Sequence, residues 1–347
     1  MRGGGAEARA PGAVLVGGYV NALGLVRSLA ARGVPVAVVT TKPFDVAHRS
    51  RFVDGCEAAR DLHERSEALV EALEPRASTW RGRVLVPTND EAVAALAAHH
   101  DRLGSDYRLA SPSPDAARVL LDKRLMMEAA REVGIDVPRI YDGEVEFPAM
   151  VKPLVASRLM AREGVKAIAV RDAGELAAAR ARLGDLPHIV TELVAGPDSE
   201  IVCHAVHLDE RGDPVASATV RKLRQGPPGL GDARVAELVP HDAALHEATV
   251  ALARRIGLTG LAVAEFKRGR FIEVNGRSVV YNALLRRGGL DVAALAIGER
   301  GSRAAAGRST WVHLHPDVGY SLRDRIGVRE FVAPYRRPPV IEAVWSR

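Results

Sequence analysis

Strand-like and helix-like patterns alternate through the first ~110 residues, and this alternation restricts the fold more than any other feature of the chain. "AVLVGG" at 13–18 reads as a strand, "NALGLVRSLAARG" at 21–33 as a helix ending on Gly33, and "VPVAVVT" at 34–40 as the next strand. "RSEALVEALE", "RVLVPT" and "DEAVAALAAHHDRLG" repeat the theme up to residue 104. Such a series predicts a parallel sheet with helices on its faces, because each parallel pairing needs a crossover. The Pro- and Ser-rich "SPSPD" at 111–115 is expected to be a linker closing this unit.

The pattern then changes. "DAARVLLDKRLMMEAAREVG" predicts one or two helices ending at Gly134, and strands "FPAMVKPL" and "VKAIAVRD" flank a loop. A helix "AGELAAARARLG" and a strand "HIVTELV" follow. Past residue 200 come long strands turning at "DERGDP", the helix "HDAALHEATVALARRIG", and a last hairpin. The second half looks antiparallel, so the fold class is α/β with an α+β C-terminal half.

With 347 residues, 47% of them hydrophobic and 26% charged, the chain has enough length for two or three lobes and nothing disordered or fibrous about it. A net charge of +5 from scattered arginines and only 4% aromatics argue against a nucleic-acid partner, which needs clustered cations and stacking platforms. Cys56 and Cys203 are far apart and lack metal-type spacing, which points to a reducing, cytoplasmic setting rather than a disulfide framework. The apolar stretch at 13–26 carries Asn21 and runs into an amphipathic helix, so it reads as strand, turn and helix rather than a signal peptide. No run is long enough to span a membrane.

Glycines after the first strand invite a dinucleotide-binding reading, but Gly17, Gly18 and Gly24 do not make G-x-G-x-x-G. Where an acid would hold the ribose, the second strand ends in "VVTTKP". The expectation is a glycine-bearing turn of a Rossmann-like unit without a dinucleotide.

The chemistry concentrates in "EFKRGRFIEVNGRS", residues 265–278. A three-residue loop at 268–270, with Gly269 at positive φ, would set Glu265 directly opposite Glu273. Such residues lie roughly 5 Å apart, and like charges there destabilise a sheet. Period two puts Asn275 on the face of Glu273. Two carboxylates and an amide oxygen make a hard-oxygen set suited to magnesium. The alternative is that one glutamate points to solvent or pairs with an arginine. Only six of the 48 basic residues are lysine, at 42, 123, 152, 166, 222 and 267, which suggests positions where the amine itself matters.

These stretches resemble the ATP-grasp superfamily, and more closely its ATP-dependent carboligase or carboxylate-amine ligase branch. "EVNGR" is similar to that family's E-x-N-x-R magnesium motif, with Gly276 where proline is commoner. "HRSRFVD", "VPTNDE", "LLDKRLMMEAAREVGIDVPR", "VKPL", "TELVAGPDSEI" and "RKLRQGPPGLGDARVAE" extend the likeness from about residue 13 to the C terminus. The resemblance implies an N-terminal Rossmann-like domain at 1–113, a central subdomain at 114–193 and a C-terminal subdomain at 194–347. It implies ATP and Mg2+ (or Mn2+) as cofactors, with Glu265, Glu273 and Asn275 on the metal and Lys123 and Lys152 on the phosphates. Ser157 belongs to the phosphate-covering loop "VASRLMAREG", Glu192, Leu193 and Val194 to the adenine hinge, and Glu200 to the ribose. Arg277 and Lys152 are the catalytic candidates, with the planar fork of Arg277 assigned to the transferring phosphoryl or the substrate carboxylate and Arg221, Arg224, Arg286 and Arg287 to substrate carboxylates.

The reaction so implied joins a small-molecule carboxylate to an amine through an acylphosphate, with amino-acid-type substrates, no nucleic-acid or membrane partner, and homodimerisation common among relatives. An ATP-dependent carboxylase, a kinase on the same fold and a silent nucleotide-binding protein remain open at this point. No Ser, Cys or His constellation for nucleophilic catalysis is present, and His99-His100, His204/His207 and His313/His315 lack helical metal spacing.

Overall fold

The computed structural model describes residues 12–154, 159, 165–299, 309–336, 340–342 and 344. The first unit is a parallel sheet in the order β3-β2-β1-β4-β5, formed by β1 (Ala13–Val16), β2 (Val36–Thr40), β3 (Val53–Ala58), β4 (Val84–Pro87) and β5 (Arg108–Leu109). Strands β1, β2 and β4 are buried throughout, as their unbroken apolar runs require of strands covered on both faces. β3 and β5 are not evident from sequence: Val53–Ala58 alternates exposed with half-buried residues at the sheet edge, and β5 is two residues long.

The glycines after β1 serve packing. A Cβ on Gly17 would lie 2.2 Å from Thr88 Oγ1, and one on Gly18 would lie 2.8 Å from Asp45 Cβ. "SPSPD" is only partly a linker, because the Ser113 hydroxyl accepts from Ala116 N–H and Pro114 opens the helix Pro114–Leu121. Asp122 then ends that helix and caps the next, Lys123–Glu132.

A second sheet, ordered β6-β9-β7-β8, consists of β6 (Ile140–Tyr141), β7 (Ala149–Pro153), β8 (Ile168–Val170) and β9 (His188–Glu192), all antiparallel. The third is the largest: β10 (Ile201–Leu208), β11 (Pro214–Gly226), β12 (Asp232–Val239), β13 (Gly260–Lys267), β14 (Arg270–Asn275), β15 (Thr310–Val312) and β16 (Val340–Glu342) in the order β14-β13-β10-β11-β12-β15-β16. Its pairs are antiparallel except β15 with β16.

One apolar cluster runs from β1 and the helix Val20–Ala30 of the first unit into β10, β11, β13 and the helix Asn282–Arg287. It includes Leu15, Leu25, Cys203, Val220, Leu284 and Trp311. A separate cluster lies behind the third sheet, where the helix Ala243–Arg255 covers Val206, Ala262 and Ala264. Among the described residues no helix is long and apolar enough to cross a membrane, and both cysteines are free, Cys56 exposed and Cys203 buried.

Candidate active site

Glu265 pairs directly with Glu273, although the hairpin reaches this register by another route than a three-residue loop. Lys267 pairs with Arg270, leaving the two-residue turn Arg268-Gly269 with φ of +54° and +79°. Positive φ at both positions is what a tight turn between right-twisted strands requires. A one-residue bulge then follows: Phe266 pairs with Phe271 and Glu265 with Glu273, so Ile272 is the extra residue. The short turn and the bulge together give the pairing that a longer loop would have given.

Two ionised carboxylates about 5 Å apart repel by about 3 kcal/mol at an effective dielectric constant of about 20. Here lysines counter that repulsion. Lys222, from β11, donates to Glu265 Oε2 at 2.5 Å, and Lys123, first residue of its helix, donates to Glu273 Oε2 at 3.3 Å. Asn275 Nδ2 lies 3.4 Å from Glu273 Oε1, on the same face. Burial alone would push Glu273 up, but the charges of Lys123, Lys166, Lys222 and Arg277 hold it far below the usual carboxylate range. Burial likewise works against the Lys222 ammonium, and Glu265 more than restores it.

The ammonium of Lys152, on β7, makes no hydrogen bond among the described residues. Burial, reinforced by the Lys123 charge, lowers its pKa to about 8. Lys166 lies just beyond the phosphate-loop segment, with Nζ 2.6 Å from Asp232 Oδ1. Four of the six lysines thus gather around Glu273. Lys166 and Lys222 fall outside the expected site residues; their signal in the sequence is the scarcity of lysine.

Arg277 extends from the end of the hairpin to the first unit. Its Nε and Nη2 donate to Asp90 Oδ1 and Oδ2 at 2.6 and 3.2 Å, and Asp90 begins the helix Asp90–Ala98. Next to it, Asn21 donates to Thr88 O at 2.6 Å and to Ser278 Oγ at 3.2 Å. Gly276 has no positive φ; what it lacks is room, since a Cβ would lie 2.6 Å from Leu120 Cδ1 and 2.8 Å from Pro112 Cγ.

The remaining expected residues are spread more widely. Glu192 ends β9 with Oε1 2.5 Å from Arg270 Nη1, and Leu193 and Val194 follow it half-buried. The Glu200 carboxylate lies 3.6 Å from Arg268 Nε, with Oε2 buried and without a hydrogen-bond partner. Ser157 lies outside the described residues.

The arginines expected to bind substrate divide. "RKLRQG" is strand rather than loop, belonging to β11. Arg221 falls on the opposite face of β11 from Lys222, 3.6 Å from Glu237. The fork of Arg224 is taken: Nε and Nη2 donate to the two oxygens of Asp317, itself fully buried, at 2.8 and 2.6 Å. Arg287 donates to Ser309 Oγ at 2.9 Å, whereas Arg286 has no ion-pair partner among the described residues.

No protein-family model matches the sequence, and no similar protein was found among curated proteins. Solved structures do match. The L-amino acid ligase from Bacillus licheniformis has a TM-score of 0.65 at 15% identity, with 84% of this chain and 74% of that one covered. N5-carboxyaminoimidazole ribonucleotide synthetase from Thermus thermophilus gives 0.63 at 18%, covering 86% and 81%. The biotin carboxylase domain of the Hydrogenobacter thermophilus 2-oxoglutarate carboxylase, solved with MgADP, ADP and bicarbonate, gives 0.66 at 16%, covering 86% and 73%. Together with the sheet orders and the carboxylate-bearing hairpin described above, these likenesses establish that the chain has the ATP-grasp fold with an N-terminal Rossmann-like domain.

Proposed function

We propose that the protein is an ATP- and magnesium-dependent ligase that joins a carboxylate to an amine, on amino-acid-type substrates, releasing ADP and phosphate. One observation carries the reading: a facing glutamate pair with Asn275, within the electrostatic reach of Lys123, Lys152, Lys166, Lys222 and Arg277. ATP has about four negative charges, and transferring its γ-phosphoryl group calls for positioning and charge neutralisation rather than a protein nucleophile. The cation-rich wall fits that need.

The donor set also fits the metal. Glu265, Glu273 and Asn275 would hold a divalent ion from one face, and the ion would supply neutralisation of the charge on the nucleotide phosphates. In this reading Lys222 and Lys123 occupy the carboxylates until the metal nucleotide binds. Lys123 and Lys152 hold phosphates, and the Glu192–Val194 segment and Glu200 hold the nucleoside. Arg277, aimed by Asp90, stands at the phosphoryl group or the substrate carboxylate. Arg286 is the arginine of the expected four left to grip a second carboxylate. The division into 1–113, 114–193 and 194–347 belongs to the same proposal.

Among the matched structures are both a ligase and a carboxylase. A panel of amino acids with ATP, read by ADP release and product mass, distinguishes the reactions. Amine-dependent ADP release with a mass equal to the two substrates less water supports the ligase. Bicarbonate-dependent ADP release without an amine would replace it with a carboxylase, and no ADP with any acceptor would replace it with a nucleotide-binding protein.

A further inference from the structure

The candidate active site uses one face of β10, where the Cys203 thiol lies 3.8 Å from Glu265 Oε2. His204, the next residue, projects from the opposite face. There it meets two more histidines, His241 just before the helix Ala243–Arg255 and His246 in its first turn. The three rings form a triangle with centroid separations of 5.2, 5.5 and 5.1 Å. One nitrogen from each lies within 4.8 Å of the other two.

Two details go beyond ordinary packing. His204 Nδ1 is 3.0 Å from Thr219 Oγ1, and its Nε2 shares a hydrogen bond with His246 Nδ1 at 3.1 Å, which a metal ion would replace. A hydroxyl holding one ring nitrogen while the other faces a shared centre is how ligating histidines are oriented. His241 makes no hydrogen bond among the described residues, yet its ring closes the triangle from the exposed side. In a tetrahedral site with metal–nitrogen bonds of about 2.0–2.1 Å, donor nitrogens lie about 3.3–3.4 Å apart. The His204–His246 pair is already close to that spacing, and rotation of the exposed His241 closes the rest.

We propose that His204, His241 and His246 bind a transition-metal dication, with zinc the best match. Three imidazoles select borderline metals over magnesium or calcium, and three protein ligands leave a fourth position open on the exposed side. The ion would tie the residue 241–246 segment to β10, the strand whose other face carries Cys203 against Glu265. Nothing in this site depends on the identity of the ligase substrate.

The test uses the full chain without a histidine tag and Zn2+ or Co2+ alone, with His241→Ala and His246→Ala chosen because the buried His204 also supports the fold. The expected result is one saturable equivalent of Zn2+, weakened at least ~10-fold in each variant. Co2+ should give the strong visible bands of a four-coordinate ion, lost in both variants. Wild type without a saturable equivalent, or full zinc affinity retained in either variant, overturns the proposal.

Discussion

Replacing Lys222 with Met removes the ammonium that offsets the buried charge of Glu265 while keeping most of the side-chain volume. Both partners are close to fully shielded, with side-chain exposures of 8% and 10%. Breaking a buried pair from one side costs about 3–5 kcal/mol, because the surviving charge is left uncompensated. The estimate agrees with the ~3 kcal/mol repulsion between facing carboxylates that Lys222 helps to counter. With an unfolding entropy of about 2.1 cal/mol/K per residue, 347 residues shift by about 1.4 °C per kcal/mol, so the thermal midpoint should fall by roughly 4–7 °C. Differential scanning calorimetry without metal or nucleotide measures this directly. Adding Glu265→Gln removes the stranded charge, so the double variant should recover much of the loss, with a coupling energy of about 2 kcal/mol or more. Losses that add to within about 0.5 kcal/mol would refute the reasoning, since the two residues would then act independently.

Other perturbations test the remaining elements. Lys152 titrates near 8 when folded and at 10.5 when unfolded, so between these values the unfolded chain binds more protons. Its charged form therefore costs stability below about pH 8, and the cost is relieved as pH rises towards 10.5. If the cation serves ATP, kcat/KM for ATP should fall as pH rises through about 8. Lys152→Arg should abolish that limb, and an identical limb in the variant would assign it elsewhere. Gly276→Ala should destabilise by about 1–3 kcal/mol through overpacking against Leu120 and Pro112, and raise the magnesium concentration needed for turnover; urea denaturation showing no change would remove the steric argument. Arg224→Ala should cost about 1.5–3 kcal/mol by removing two charge-assisted hydrogen bonds from buried Asp317, which keeps the Tyr335 hydroxyl at 2.7 Å and Arg234 at 3.6 Å. An unchanged denaturation midpoint with a raised amino-acid KM would instead return Arg224 to substrate binding.

What the sequence discloses is mostly local. Apolar runs at Ala13–Val16, Val36–Thr40 and Val84–Pro87 need burial on both faces, so the parallel sheet is legible. Alternation in "EFKRGRFIEVN" places the glutamates opposite each other, but the turn is misread because a shorter loop and a bulge leave the same register as a longer loop. Arg224 shows the other limit. Its partner Asp317 is 93 residues away, and a fork closed by a distant carboxylate looks in sequence like one open to a substrate. Lys222 stands out in the sequence only as a rare lysine, because its partner lies 43 residues on, across β10. His204 and His207 read as a pair in sequence, yet residues three apart on a strand face opposite ways. His204's neighbours come instead from the start of a helix some forty residues later.

The Arg277–Asp90 fork and the Asn21–Ser278 contact join helices of the N-terminal unit to the end of the glutamate-bearing hairpin, and Asn282 returns a bond to Asn21 O at 3.0 Å. The N-terminal unit is therefore not an interchangeable module. A chimera that imported this region from another protein of the fold would need an acid where Asp90 stands and an amide where Asn21 stands. Otherwise it would misplace Arg277, even if every residue of the hairpin were kept.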